Sequence, residues 1–229
     1  MKSRAIIAAG GRGERTGDIL PKQFIQIKNK PILAYTVEKF ERCELVDEIT
    51  LVVPEDYMSY CSYNVVDVYD FKKVKRILSG GKERQDSVYK GLLALPGNTD
   101  IVIIHDGVRP FISPQKICES IERCKKEKAV ILALPINETV KRIEDKYIVT
   151  TLDREKLWVA QTPQTFEYKL LLEAYKKAME DGFSGTDDSS LVERLGFKVK
   201  VLEGDYENIK ITTPEDLVLA ERMIEKLNL

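Results

Sequence analysis

Asp100–Pro110 reads DIVIIHDGVRP. The apolar residues Ile101–Ile104 run together and stop abruptly at His105, Asp106 and Gly107. A short apolar run with a sharp polar end is the pattern of a buried strand. The segments on either side carry helical spacing instead: ERQDSVYKGLLAL (83–95) before it and SPQKICESIERCKKE (113–127) after it. Working outward, the same alternation recurs. AIIAAG (5–10), EITLVVP (48–54), VKRILSGG (74–81) and AVILALPI (129–136) read as strands. PILAYTVEKFERC (31–43) reads as a helix opened by Pro31, with Ile32, Tyr35, Val37 and Phe40 as core candidates. Strand followed by helix in repeated order argues for an α/β fold, a mostly parallel twisted sheet with helices on both faces.

The rhythm changes after Pro135. NETVKRIEDKYIVTTLDR (137–154) reads as two short strands turning at Glu144–Lys146, so residues 136–156 form a protruding β-hairpin arm outside the main sheet. EYKLLLEAYKKAMEDG (167–182), TDDSSLVERLG (186–196) and TPEDLVLAERMIEKL (213–227) read as helices, and KVKVLEG (198–204) and NIKITT (208–213) as strands. The 229 residues suit one domain spanning 1–229, with no internal repeat. Net charge is −1, which calls for no nucleic-acid partner, and no apolar run is long enough to cross a membrane. The amino-terminal stretch reads as a strand and its glycine turn, not a signal peptide. Four cysteines, Cys43, Cys61, Cys118 and Cys124, form no CxxC pair and read as reduced thiols of a cytoplasmic protein.

In open parallel sheets ligands bind beyond the carboxyl ends of the strands. AAGGRGERTGDILPKQF (8–24) leaves the first strand and is rich in glycine. It is not a dinucleotide fingerprint: counted from Gly11, Thr16 stands at the third glycine and Pro21 where helix is required. It is not a P-loop either, because no Lys-Ser or Lys-Thr follows. Glycine still exposes backbone amides to phosphate oxygens, Arg15 offers a bidentate contact and Lys22 a point charge. A plain glycine turn with solvated charges is the competing reading.

AGGRGER with PKQ resembles the signature of sugar- and alditol-phosphate nucleotidyltransferases. GGKERQDSV, HDGVRPF, ALPINETVK, TLDREKLWVAQTPQTF, TDDSSLVERLG and LEGDYENIKITTPEDL follow in order. Together they resemble the 2-C-methyl-D-erythritol 4-phosphate cytidylyltransferase family over nearly the whole chain. The resemblance implies a Rossmann-like nucleotidyltransferase domain that transfers CMP from CTP to that alditol phosphate and releases pyrophosphate. Ribitol-5-phosphate-type cytidylyltransferases share much of the pattern and are the alternative acceptor class. A non-catalytic nucleotide-binding module would have lost its charges, and Arg15, Lys22, Asp106 and Lys210 are all present.

By resemblance, Ala9, Gly10, Gly11 and Gly13 hold the nucleotide with Gly81, Arg84 and Ser87 around cytosine and ribose. Arg15, Lys22, Arg154 and Lys210 are the catalytic set. Asp106, Arg109, Thr139, Arg154, Thr162 and Lys210 bind substrate, with Asp106 as the Mg²⁺ ligand. On the residues alone, Asp106 is equally a turn or N-cap aspartate, Ser87 belongs to a helix start, and Arg154 is a solvated hairpin charge. Lys210 between Ile209 and Ile211 is an ordinary exposed-strand pattern. His105, the single histidine, borders a buried strand and is read as structural, since an attacking phosphate is already anionic. Asp187-Asp188 and Thr213-Pro214-Glu215-Asp216 are read as helix caps. In the resembled family the arm exchanges between two subunits, so the resemblance implies a homodimer. Two small-residue differences stand out: Gly10 where the family often has alanine, and Gly107-Val108 where it often has two alanines.

Overall fold

The strand Ser3–Ala8 (β1) shows how the core is laid out: Ala5 and Ile7 belong to one apolar cluster and Ile6 to another, because successive side chains point to opposite faces. A computed structural model of the chain describes residues 1–11 and 20–227. Beyond β1 its strands are β2 (Gln26–Ile27), β3 (Lys30–Pro31), β4 (Glu48–Val53), β5 (Val74–Ser79), β6 (Ile101–Asp106), β7 (Ala129–Pro135), β8 (Lys141–Glu144), β9 (Tyr147–Thr151), β10 (Trp158–Glu167) and β11 (Lys200–Glu203). The α-helices are α1 (Ile32–Glu41), α2 (Met58–Cys61), α3 (Arg84–Ala94), α4 (Pro114–Glu127), α5 (Tyr168–Glu180), α6 (Asp188–Arg194) and α7 (Pro214–Leu227).

Seven strands form one sheet in the order β11-β7-β10-β6-β1-β4-β5. β1, β4, β5 and β6 run parallel, as do β7 and β11, while β10 is antiparallel to both β6 and β7. The α/β fold with helices on both faces is therefore as expected. On one face Leu33, Val37 and Phe40 of α1 and Ile117, Ile121 and Cys124 of α4 cover the sheet. On the other, Val88 and Leu92 of α3 join Leu171, Ala174 and Tyr175 of α5 and Leu191 and Val192 of α6. The four core candidates of α1 are all buried. α7 packs Ala220 and Ile224 on Ile27, Ile32, Tyr35 and Ile211.

β8 and β9 pair with each other in a separate two-stranded sheet and every residue in them is exposed, so the hairpin arm forms where the sequence placed it. Two elements differ from expectation. Asn208–Thr213 is not a strand: its amides bond within a turn (Asn208 to Asp205, Ile209 to Glu207), with a single bond from Ile211 N to Val108 O. Ile211 is buried and Ile209 partly buried against the same apolar cluster, which accounts for the apolar alternation without a ladder. β10 is an unexpected central strand, interrupted between Gln161 and Gln164 where the Thr162–Pro163 peptide is cis. Proline within a run argues against a strand, and here it is accommodated at an irregularity. All four cysteines are free thiols, with the Cys43 and Cys118 sulfurs hydrogen-bonded at 2.8 Å.

Candidate active site

The parallel strands β1, β4, β5, β6 and β7 end at one edge of the sheet, and the polar segments singled out in the sequence follow those ends. A cleft of about 280 Å³ lies there, lined by Ala9, Gly10, Gly11, Lys22, Gly81, Arg84, Ser87, Asp106 and Lys210 together with Gln23 and Val108. A second cleft of about 250 Å³ is lined by Arg84, Asp106, Arg109, Thr162, Thr186, Asp187 and Lys210, with Gln161 and Gln164 from β10. Arg84, Asp106 and Lys210 belong to both, so two cavities meet at one charged cluster.

Local structure explains how each wall is held. Gly10 lies against the β5–α3 loop so closely that a side-chain carbon there would stand 3.0 Å from Ser87 Oγ and 3.4 Å from Gly80 Cα. Lys22 opens a 3-10 turn, Lys22–Phe24. Its neighbour Gln23 is buried and donates from Nε2 to Ala9 O (2.6 Å) and Gly11 O (3.0 Å), tying the lysine turn to the glycine loop. The Ser87 hydroxyl is engaged inside its own loop: it accepts from Gly81 N (2.9 Å) and donates to Glu83 O (3.0 Å). The α3 start is closed by a capping box between Glu83 and Asp86.

Asp106 is the centre of charge. Arg84 Nε donates to its Oδ1 (3.1 Å), and Oδ2 faces Lys210 Nζ (3.0 Å) and Arg109 Nε (3.4 Å). Burial raises the pKa of its carboxyl, but the three cations outweigh burial and hold it well below the usual carboxylate range. Asp106 is thus an anion at any working pH. His105 beside it is fully buried, and burial pulls its pKa down to about 4. A neutral imidazole must donate from the nitrogen that faces a carbonyl, so the proton sits on Nε2, which donates to Arg109 O (3.1 Å). Nδ1 then accepts from the Thr162 hydroxyl (3.0 Å), whose oxygen accepts from Asp106 N (3.1 Å). Thr162 therefore secures the Asp106 backbone from the second cleft's wall, and His105, buried with both ring nitrogens hydrogen-bonded, lines neither cleft.

Thr139 and Arg154 are not in either cleft. Both are exposed, Thr139 just before β8 and Arg154 in the turn after β9, where Arg154 Nη1 donates to Asn137 O (2.8 Å). Gly13 and Arg15 lie outside the described residues. The caps at Asp187 and Thr213 form as read: Asp187 accepts from Ser190 N (3.0 Å), and Thr213 and Asp216 bond each other's amides. Asp188 is no cap. Its fully buried carboxylate pairs with Arg84 Nη2 at 2.7 Å. Gln23, on the first cleft, and Asp188, behind it, were not read from the sequence; PKQ was legible as a motif, but no spacing links Asp188 to Arg84 across 104 positions.

The sequence profile of the 2-C-methyl-D-erythritol 4-phosphate cytidylyltransferase (IspD) family matches residues 4–226. The chain belongs to this family. It is 45% identical over 230 residues to the 2-C-methyl-D-erythritol 4-phosphate cytidylyltransferase of Geotalea uraniireducens, covering 100% of this chain and 99% of that one. It is also 45% identical to the enzyme of the same name from Caldanaerobacter subterraneus, over 99% of this chain and all of the other. Among solved structures, the 4-diphosphocytidyl-2C-methyl-D-erythritol synthase of Anaerococcus prevotii superposes with a TM-score of 0.87 at 36% identity, over 98% of this chain and 96% of that one. The Thermus thermophilus cytidylyltransferase superposes with a TM-score of 0.81 at 30% identity, over 98% and 100%. In this cytidylyltransferase chain both clefts lie at the carboxyl edge of the sheet.

Proposed function

We propose that the chain transfers CMP from CTP to 2-C-methyl-D-erythritol 4-phosphate, forming 4-CDP-2-C-methyl-D-erythritol and pyrophosphate for isoprenoid precursor synthesis. The observation that carries it is the meeting of two clefts at Arg84, Asp106 and Lys210, where a nucleotide and a phosphorylated acceptor can lie in contact. An oxygen of the acceptor phosphate attacks the α-phosphorus. The new P–O bond forms as the bond to the bridging α,β-oxygen breaks, and pyrophosphate leaves with that electron pair. No base is needed, because the attacking phosphate is anionic. Positioning and electrostatics supply the rate. Lys22, on the first cleft, and Arg15 meet the charge that builds on the α-phosphate. Ala9, Gly10, Gly11, Gly13 and Gly81 offer close backbone approach to the triphosphate and base. Lys210 and Arg109 draw the attacking phosphate into the second cleft.

Asp106 fits a Mg²⁺ role of a limited kind. Among the described residues there is no group of three or more metal-ligating side chains. A single anionic carboxylate on the cleft wall suits an ion that takes its other ligands from phosphate and water. Asp106 would hold Mg²⁺, and the ion would neutralise triphosphate charge. Thr139 and Arg154 belong to an arm whose apolar side chains, among them Ile143, Tyr147 and Ile148, are exposed. We take the arm to exchange between two subunits, so that Thr139 and Arg154 serve the partner subunit's acceptor site in a homodimer. Among the described residues no helix is long and apolar enough to cross a membrane, and with four free thiols this supports a cytoplasmic enzyme.

Pyrophosphate release with CTP and a panel of alditol phosphates tests the function. Methylerythritol 4-phosphate is expected to be the preferred acceptor. A preference for ribitol 5-phosphate would move the assignment to that acceptor class, and no release with any acceptor would overturn catalysis.

A further inference from the structure

Asp188 lies behind the site and lines neither cleft. Its side chain is fully buried, its Oδ2 pairs with Arg84 Nη2 at 2.7 Å, and its Oδ1 accepts the Tyr175 hydroxyl. Tyr175 is itself buried and stacks on Tyr89, with ring centroids 5.9 Å apart and planes 9° from parallel. The helix α6 does not need Asp188, since Asp187 caps it. A buried ion pair is a costly way to hold three helices together, because desolvation cancels much of the attraction and an apolar contact serves as well. The geometry of the guanidinium gives a better reason for the charge.

We propose that Asp188, oriented by Tyr175, is a positioning residue that fixes Arg84 so that only its Nε edge reaches Asp106. Guanidinium groups favour two parallel bonds to one carboxylate. With its Nη2 end occupied by Asp188, Arg84 contacts Asp106 at Oδ1 alone, 3.1 Å away, and Oδ2 stays directed toward Lys210 and Arg109 at the junction of the clefts. Without Asp188, Arg84 can turn its fork onto both oxygens and withdraw Asp106 from the nucleotide.

The inference rests on the cytidylyltransferase reading, which wild-type turnover reports separately; the inference itself is read from variants relative to wild type. Asp188→Asn is expected to lower kcat/KM for CTP about 10- to 100-fold, the usual effect of losing a residue that orients a ligating side chain. In an Arg84→Lys background, which cannot form the fork, the same change should cost less than about twofold more, because the two residues act as one unit. Tyr175→Phe keeps the ring and removes only the hydroxyl, and should give a smaller loss that is likewise absent beside Arg84→Lys. Thermal melting of each variant confirms folding at the assay temperature. Should Asp188→Asn fail to fold, the cycle of Tyr175→Phe with Arg84→Lys decides alone. Unchanged kcat/KM in a folded variant, or losses that multiply in the double variants, would overturn the proposal.

Discussion

In the proposed reaction Lys22, on the wall of the first cleft, meets the charge that builds on the α-phosphate. Removal of a donor placed against developing charge costs on the order of 10²–10³ in kcat. Lys22→Ala is therefore expected to lower kcat by about two orders of magnitude or more in a pyrophosphate-release assay, and near-normal turnover would remove Lys22 from its role. His105 makes a different prediction. Buried, it titrates near pH 4, whereas in the unfolded chain it titrates near 6.5. Between those values the unfolded chain binds the extra proton, so the histidine's contribution to stability is complete above about pH 6.5 and is lost as pH falls toward 4. The loss is on the order of 3 kcal/mol. Melting temperatures from pH 7 to 4.5 should fall more steeply for wild type than for His105→Gln; parallel curves would contradict the burial of a neutral imidazole. At this scale the sequence was legible at Asp106, which ends β6; Lys22 and Lys210 line the same cleft, but Lys210 comes from a turn and not from the strand its alternation suggested. Asp188 was not legible, because an aspartate after a capping aspartate looks like more of the cap.

The loop joining β5 to α3 is the element with least tolerance. A side-chain carbon on Gly81 would stand 2.2 Å from Asp86 Cβ and 3.1 Å from that residue's backbone carbon, on the capping box that starts α3. Overpacking of this kind costs about 1–3 kcal/mol. Gly81→Ala should lower the melting temperature by several degrees and raise KM for CTP, as seen by calorimetry and initial rates; a variant with both unchanged would mean that the loop gives way freely. Strands with unbroken apolar cores, β1, β4, β6 and β7, were legible because burial on both faces writes itself as a run. β10 was not, because Gln161, Thr162, Pro163 and Gln164 break the run where the strand turns its polar side chains to the second cleft. Asn208–Thr213 misled in the opposite direction: a turn that packs Ile209 and Ile211 against one apolar cluster imitates strand alternation.

The whole molecule raises the matter of where each site is completed. Neither cleft contains Thr139 or Arg154, and the arm that carries them projects apolar residues into solvent. Exchange of arms predicts complementation. Lys22→Ala and Arg154→Ala chains should each be nearly inactive, yet mixed after co-refolding they should regain about a quarter of wild-type activity, since half the dimers then hold one intact site. No recovery would place each site within one chain. The proposed attack by the acceptor phosphate on the α-phosphorus of CTP has its own direct measurement. Methylerythritol 4-phosphate carrying ¹⁸O in its phosphate is turned over with unlabelled CTP, and both products are weighed by mass spectrometry. All label is predicted in the cytidine diphosphate product and none in pyrophosphate; label in pyrophosphate, or no labelled cytidine product, would contradict attack by the acceptor phosphate.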